Sequence, residues 1–523
     1  MASVAEAIPM EITGKGQYIN DKKTLLAFYM YDWASSVFTN SILLIPLLIT
    51  DLAKQQAQGS DWSEEYNCEA TIDCSATDMQ FEEICESASN KCLYNSSGCF
   101  FAVDTCVPAT ANKCCVKDPE SLTVDFLGGE TNYASVFAYL VSISVGLQVI
   151  CFIVLAPLAD YGKHCKFMLK ISTVVGSMCL FLVCFCDNAP WQLPGTLFVV
   201  GNVAFGMATV FYNGYLPKIT TPSSYDRVGT KGVALGYIGG QVCLFLMFVP
   251  LLGIAENEHC LLGLSIGIGM TGLWWMAFGA WSLKNLPDVE GEKWPEGANY
   301  LTKGPKEVLS TVKHIRSDLP ETGKFLLAYF VFSDGNSTIV DTVLVFASEE
   351  LCMTFDDTIT LLIIVEMFSA IGAFAGERIV RSGKMSTKGM VMLNIGIIAL
   401  LPLLGHPDIP VFSSEHLWTF FTASTVFGLC NGSMTALTRS LYTRFIPKGR
   451  EHEYFGFYEV TDKGTSWLGP LIVGIVVNAT GSLRQGFFSV FFFMLIGGLL
   501  LWRVDVEKGA KAVGRSVEER DEE

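Results

Sequence analysis

Several ionisable side chains of this 523-residue chain lie inside stretches too apolar to be loops. Asp32 sits in the run FYMYDWASSVFTN (Phe28–Asn40), about two helical turns inside an apolar segment over residues 25–51. Asp334 and Asp341 share another such segment and are spaced to lie on roughly one helix face, with Asn336 and Thr338 nearby. Glu366 and Arg439 lie in two more, and Tyr212, Asn213 and Tyr237 bring polar ends where water is scarce. A charge at membrane depth is costly, and it is kept for a solute or ion pathway or for a structural pair with a neighbouring helix. Such acids can carry protons or hold an ammonium group, and an arginine can hold a carboxylate. Nothing resembles a nucleophile constellation, a phosphate loop or a metal-spaced cluster, so no enzyme, cofactor or metal site is expected.

These residues need helices to hold them. Half the residues are hydrophobic and 17% are charged, which reads as an all-α polytopic membrane protein. Apolar stretches of bilayer length fall at residues 25–51, 133–158, 167–187, 195–217, 232–254, 260–283, 324–348, 357–377, 387–406, 415–440, 454–478 and 485–502. The expected architecture is twelve transmembrane helices in two six-helix bundles, residues 25–283 and 324–502, joined by a linker at 284–323. LLAFYMYDWASS (Leu25–Ser36) is echoed by LLAYFVFSDGNS (Leu326–Ser337), with Asp334 one place out of register with Asp32. FIPKGR (Phe445–Arg450) likewise echoes YLPKIT (Tyr215–Thr220). Internal repeats of this kind are a transporter device.

With residues 1–24 and 503–523 assigned to the cytoplasm, 30 of the 35 Lys and Arg fall on that side; only Lys54, Lys91, Lys113, Lys117 and Arg484 fall outside. No cleavable signal peptide is visible. The net charge of −17 is concentrated: residues 51–130 carry 15 acidic against 4 basic residues, a net −11 in one outer loop. Basic residues sit in short turns facing anionic lipid, so a nucleic-acid partner is not expected.

That loop, residues 52–131, holds Cys68, Cys74, Cys85, Cys92, Cys99, Cys106, Cys114 and Cys115, which reads as a disulfide-stapled unit of open connectivity. Zinc is the rival, disfavoured because the loop has no histidine. Asn95 and Asn478 are glycosylation candidates on the expected outer side.

Between the second and third stretches, PLADYGKHCK (Pro157–Lys166) places Asp160, Gly162 and Lys163 in a short turn. It resembles the loop signature of the major facilitator superfamily, which implies a latch across the cytoplasmic side. His164 and Cys165 stand where that signature has arginines. Glu377 and Arg378 in GAFAGERIVRSGK (Gly372–Lys384) read as a drifted second copy, and a tight turn with snorkelling cations is the alternative for both. Gly232, Gly236 and Gly240 form a stripe suited to close helix packing. The linker is expected to hold one amphipathic helix at residues 306–315.

Taken together, YDWASSVF, LADYG, VFYNGYLP, GVALGYIGG, LLAYFVFSDG, LTRSLYTRFIPKGRE and EYFGFYEVTDKGTSWLGP resemble the autophagy-related vacuolar amino-acid effluxers, a branch of the major facilitator superfamily. The resemblance covers nearly all the apolar stretches and leaves out the cysteine-rich loop. It implies the twelve-helix major facilitator fold and, for its best-known members, export of neutral amino acids such as leucine, isoleucine and tyrosine. The expected protein is a monomeric secondary transporter for a small polar solute, with protons as a possible coupling ion, in the vacuolar or lysosomal membrane. The plasma membrane is the other location, a transporter of a different solute class the other cargo reading, and a receptor binding its ligand through the outer loop the rival class.

Overall fold

Runs rich in Leu, Ile, Val, Phe and Ala form helices here, the element that satisfies its own backbone where water is absent. The computed structural model describes residues 19–58, 123–132, 136–248, 260–293, 300–349, 351, 353, 355–406, 409, 411–412, 417–463, 468–480 and 482–515. The first half contains α1 (Lys22–Ser35), α2 (Val37–Gln58), a hairpin of β1 (Thr123–Phe126) and β2 (Gly129–Asn132), α3 (Val136–Leu155), α4 (His164–Leu182), α5 (Gln192–Asn213), α6 (Tyr225–Cys243) and α7 (Cys260–Asn285). The second contains α9 (Pro320–Glu349), α10 (Phe355–Arg381), α11 (Thr387–Leu404), α12 (Leu417–Thr443), α13 (Glu451–Lys463), α14 (Leu468–Thr480) and α15 (Leu483–Trp502). Linker helix α8 (Tyr300–Ser317) and tail helix α16 (Val506–Ala512) follow, and short helical turns stand at Pro157–Asp160, Val183–Phe185, Leu216–Ile219, Pro222–Ser224 and Leu244–Phe248.

Among the described residues, helix is found in each apolar stretch read from the sequence, and eight helical segments are long and apolar enough to cross a membrane. The other stretches, at α6, α9, α12 and α13–α14, are diluted by polar residues: Asp226 and Gln241, Asp334 and Asn336, Arg439, and Glu459 with Asp462. These helices meet other helices rather than lipid on much of their surface. α6 packs against α10 and α12 of the other half, and α13 packs against α3 and α5. The two contacts mirror each other, as a repeat of halves requires.

Three boundaries differ from the sequence reading. The first stretch is broken at Ser36, whose N–H bonds Asp32 O at 3.0 Å before α2 restarts at Val37. The linker helix is longer than residues 306–315 and is docked on α3 and α9. The tail is partly folded: Asp505 caps α16 by accepting from Lys508 N at 3.0 Å, and Gly509 lies against Phe445. Cys68, Cys74, Cys85, Cys92, Cys99, Cys106, Cys114, Cys115 and Asn95 lie outside the described residues, and so does the side chain of Asn478 on α14. The described part of the outer loop ends in the β1–β2 hairpin, which lays Phe126 on Trp191 at a ring distance of 5.9 Å.

Candidate functional site

At the centre, four helices from both halves converge on Arg439. Asp32 comes from the last turn of α1, Tyr212 and Asn213 from the end of α5, and Arg439 from α12. Arg439 Nη2 lies 3.4 Å from Asp32 Oδ2 and donates to Gly229 O at 2.9 Å, while Nη1 donates to Asn213 Oδ1 at 3.1 Å. Tyr212 donates its hydroxyl to the same Asp32 oxygen at 2.7 Å. The guanidinium lies 5.6 Å from the Tyr212 ring and 5.9 Å from that of Phe28, and those two rings stack at 4.3 Å. α6 can approach because Gly232 has no side chain: a Cβ there would collide with Asp32 Oδ2 and lie 3.1 Å from Tyr212 Oη. The result is a buried cation and a largely enclosed anion, joined across the halves and walled by aromatic rings.

About two turns into α13, Glu459 accepts from Asn213 Nδ2 at 3.2 Å, so Asn213 is shared between Arg439 and this acid. Asp462 lies 3.6 Å from Lys463 and accepts from Tyr329 Oη at 2.8 Å, and Tyr329 stacks on Tyr458 at 4.1 Å.

The halves are clamped together at one end. Asp160 caps α13, accepting from His452 N at 3.1 Å and Glu453 N at 2.9 Å, and His452 Nδ1 meets its Oδ1 at 2.5 Å. This is an acid at a helix N-terminus, where free N–H groups and the helix dipole favour it. Lys218 lies 3.6 Å from both Asp160 and Glu451, and Cys165 Sγ is 2.9 Å from His452 Nε2. Burial opposes a charged imidazole and Lys218 repels it, but the adjoining Cys165 and Asp160 push His452 up to about 9. Burial pushes Glu453 up to about 7, against the pull of Thr311 and Arg450. The opposite corner uses Asp226, at the start of α6, which accepts from Arg444 and from Thr387 at 2.7 Å each. The ion pairs Lys218–Glu451, His452–Asp160 and Arg444–Asp226 join the halves at this end, and Arg439–Asp32 joins them at the centre.

Linker and tail are part of the clamp. The segment 290–292 pairs with the Asp160 turn: Gly162 N donates to Glu292 O at 2.8 Å and Gly291 N to Gly162 O at 2.7 Å. Arg450 donates to Thr311 of α8 at 2.7 Å, and Thr311 donates to Glu453. Arg515 is buried, donating to Ile446 O at 2.6 Å and to the Tyr225 hydroxyl, with Glu451 at 3.4 Å.

Of the eight expected pathway residues, the structure brings Asp32, Tyr212, Asn213 and Arg439 together. Glu366 accepts from Gln241 at 3.0 Å, a separate bridge from α6 to α10, and Tyr237 lies one turn before Gln241 on α6. Asp334 is buried on α9, and the Asp341 side chain is outside the described residues. In the latch motif Asp160 and Gly162, at φ +52°, form the turn, whereas Lys163 pairs with exposed Glu290 at 3.0 Å. Gly383 repeats the left-handed turn at φ +71°, but Glu377 sits 3.7 Å from Arg381 on its own helix, and the second clamp is built from Asp226, Thr387 and Arg444 instead. Sequence reasoning missed Lys218, His452, Glu459 and Arg515. The density of acids and histidine in EHEYFGFYEVTDK was the available signal for two of them.

The family described as "Vacuole effluxer Atg22 like" matches residues 20–514. The chain belongs to this family. Autophagy-related protein 22-1 of Aspergillus niger is 25% identical over 588 residues, covering 96% of this chain and 91% of that protein. Autophagy-related protein 22 of Kluyveromyces lactis is 26% identical, covering 76% and 85%. By structure, this Atg22-like chain is similar to the human organic anion transporter MFSD10, with a TM-score of 0.62 and 12% identity over 92% of this chain and 99% of that one. It is also similar to the major facilitator transporter FucP in its outward conformation, with a TM-score of 0.53 and 12% identity over 92% and 98%. At such identities the likeness shows the major facilitator fold alone; the family match marks the chain as a multi-pass membrane protein.

Proposed function

We propose that this chain is a secondary transporter that moves neutral amino acids out of the vacuolar or lysosomal lumen by alternating access. The observation that carries the reading is the Asp32–Arg439 pair, an anion and a cation from different halves held 3.4 Å apart beside stacked aromatic rings. A zwitterion entering between them gives each charge a new partner: its ammonium takes Asp32, its carboxylate the planar fork of Arg439. Phe28 and Tyr212 then offer apolar surface to a side chain. The clamped end carries both described termini and the basic turns, which fits the cytoplasmic side by the charge rule. The state described is therefore closed to the cytoplasm, and release requires that Asp160 leave α13 and Arg444 leave Asp226. The family's description as vacuole effluxers supports both membrane and direction.

The test is ligand-dependent thermal stabilisation of the purified protein across the amino acids, sugars, nucleosides and polyamines at pH 5 and pH 7. A ligand at about 100 times its Kd stabilises by about 2.7 kcal/mol. Shifts with leucine, isoleucine or tyrosine, lost in Asp32→Asn, support the proposal. A shift confined to another solute class overturns the cargo.

A further inference from the structure

We infer that Glu459 is the residue that takes up and releases the coupling proton, an inference that rests on the transporter reading. Glu459 is 4% exposed, on the face of α13 turned to α5. The charged and titratable groups around it can be counted helix by helix. α12 brings Arg439, α1 brings Asp32, α5 brings Tyr212 beside the neutral Asn213, and α9 brings Tyr329 and Asp334. α13 itself adds Tyr458, Asp462 and Lys463 on one side, and Glu453 and His452 towards Asp160 on the other; α3 has no charged residue. In the central layer, then, three carboxyl groups (Asp32, Glu459 and Asp462) face two cations, Arg439 and Lys463. Arg439 is engaged by Asp32, Asn213 and Gly229, and Lys463 lies 3.6 Å from Asp462. The contact that fixes Glu459 is an amide donor at 3.2 Å.

Glu459 shares the ammonium of Lys463 with Asp462, and its direct hydrogen bond comes from a neutral amide; two buried carboxylates on one ammonium are costlier than one protonated, so Glu459 holds a proton in this state. Asn213 makes that proton answer to the transport cycle. Its oxygen is held by Arg439 and its nitrogen by Glu459, and it belongs to the opposite half from both. Separation of the halves at the clamped end withdraws Asn213 and admits water, and the carboxyl group loses its proton to that water. When the other end opens, hydronium on that side returns a proton to the carboxylate. No covalent bond to the substrate is made or broken.

The experiment uses the full chain and Glu459→Gln in liposomes. Two fluxes are compared: exchange of labelled leucine without a pH gradient, and accumulation driven by one. Glu459→Gln is expected to keep exchange within about twofold and to lose gradient-driven accumulation by about tenfold or more. Accumulation at the wild-type level, or an equal loss of both fluxes in a folded variant, overturns the inference. A second measurement needs no substrate: the melting midpoint from pH 5 to 8. The wild type is expected to lose stability as pH rises, and Glu459→Gln to flatten that loss; parallel curves overturn the inference. If wild-type protein moves no amino acid, the cargo proposal fails while the melting curves still judge Glu459.

Discussion

At the residue scale, the site depends on geometry that only arginine supplies. Arg439 reaches Asp32, Asn213 and a main-chain oxygen at once, which a lysine ammonium cannot do from that backbone position. Arg439→Lys is expected to reduce amino-acid flux by about tenfold or more, and Arg439→Ala to cost about 3–5 kcal/mol by leaving Asp32 buried without its cation. The double variant Asp32→Asn, Arg439→Gln is expected to recover melting temperature but not flux, and recovery of flux would remove the pair from substrate binding. The clamp has its own pH signature. Glu453, raised to about 7, and His452, raised to about 9, both bind protons more tightly in the closed, folded state than free side chains do. Their stabilising contribution is therefore complete at low pH. Glu453's share is lost as pH rises through about 7 and His452's as it rises through about 9. Melting midpoints are expected to fall across that window, with Glu453→Gln reducing the lower part of the decline, which it shares with Glu459, and His452→Gln reducing the upper.

At the scale of elements, close helix approach is what lets the charges meet. Gly232 faces a short, doubly bonded aspartate rather than the tip of a flexible chain, so the clash introduced by an alanine cannot be relieved cheaply. Gly232→Ala is expected to lower flux by about tenfold. Gly474→Ala on α14, with open space around its Cβ, is expected to change it by less than about twofold. Equal effects would show that the stripe serves packing alone. This layer of the molecule was largely legible beforehand. Apolar length marks the helices, and Asp32 and Arg439 stand out because a charge inside an apolar run needs a reason. His452, Lys218 and Glu459 were not legible, because near a helix end the same residue types are ordinary solvated or snorkelling groups. Their roles come from partners far away in sequence: Lys218 joins Glu451, and Asp160 joins His452. The repeat was legible, but its two copies have diverged, since the Lys218 side chain is only 12% exposed and ion-paired where the corresponding Lys448 is exposed.

At the scale of the whole molecule, the parts that read as linker and tail close the end that must open. Polar, proline-containing sequence carries no sign that it will be buried, and Arg515 shows how the assembled halves change that. Its side chain is 4% exposed and spans the seam, bonded to Tyr225 on one half and to Ile446 O and Glu451 on the other. The halves cannot separate there while both sets of contacts stand, so the tail acts as a tie whose release lowers the barrier to opening. Glu451 keeps Lys218 when Arg515 is removed, so the fold is expected to survive. Cys165 reports the outcome, because it is buried in the clamp 2.9 Å from His452 and reagents reach its thiol only when the clamp parts. Alkylation of the Cys165 peptide, followed by mass spectrometry at fixed pH, is expected to be about fivefold or more faster in Arg515→Ala, and faster still in Asp160→Asn. Tyr225→Phe, which loses one of the contacts that Arg515 makes, should fall between wild type and Arg515→Ala. An unchanged rate in Arg515→Ala beside a raised rate in Asp160→Asn would mean that the tail merely rests on a clamp that holds without it.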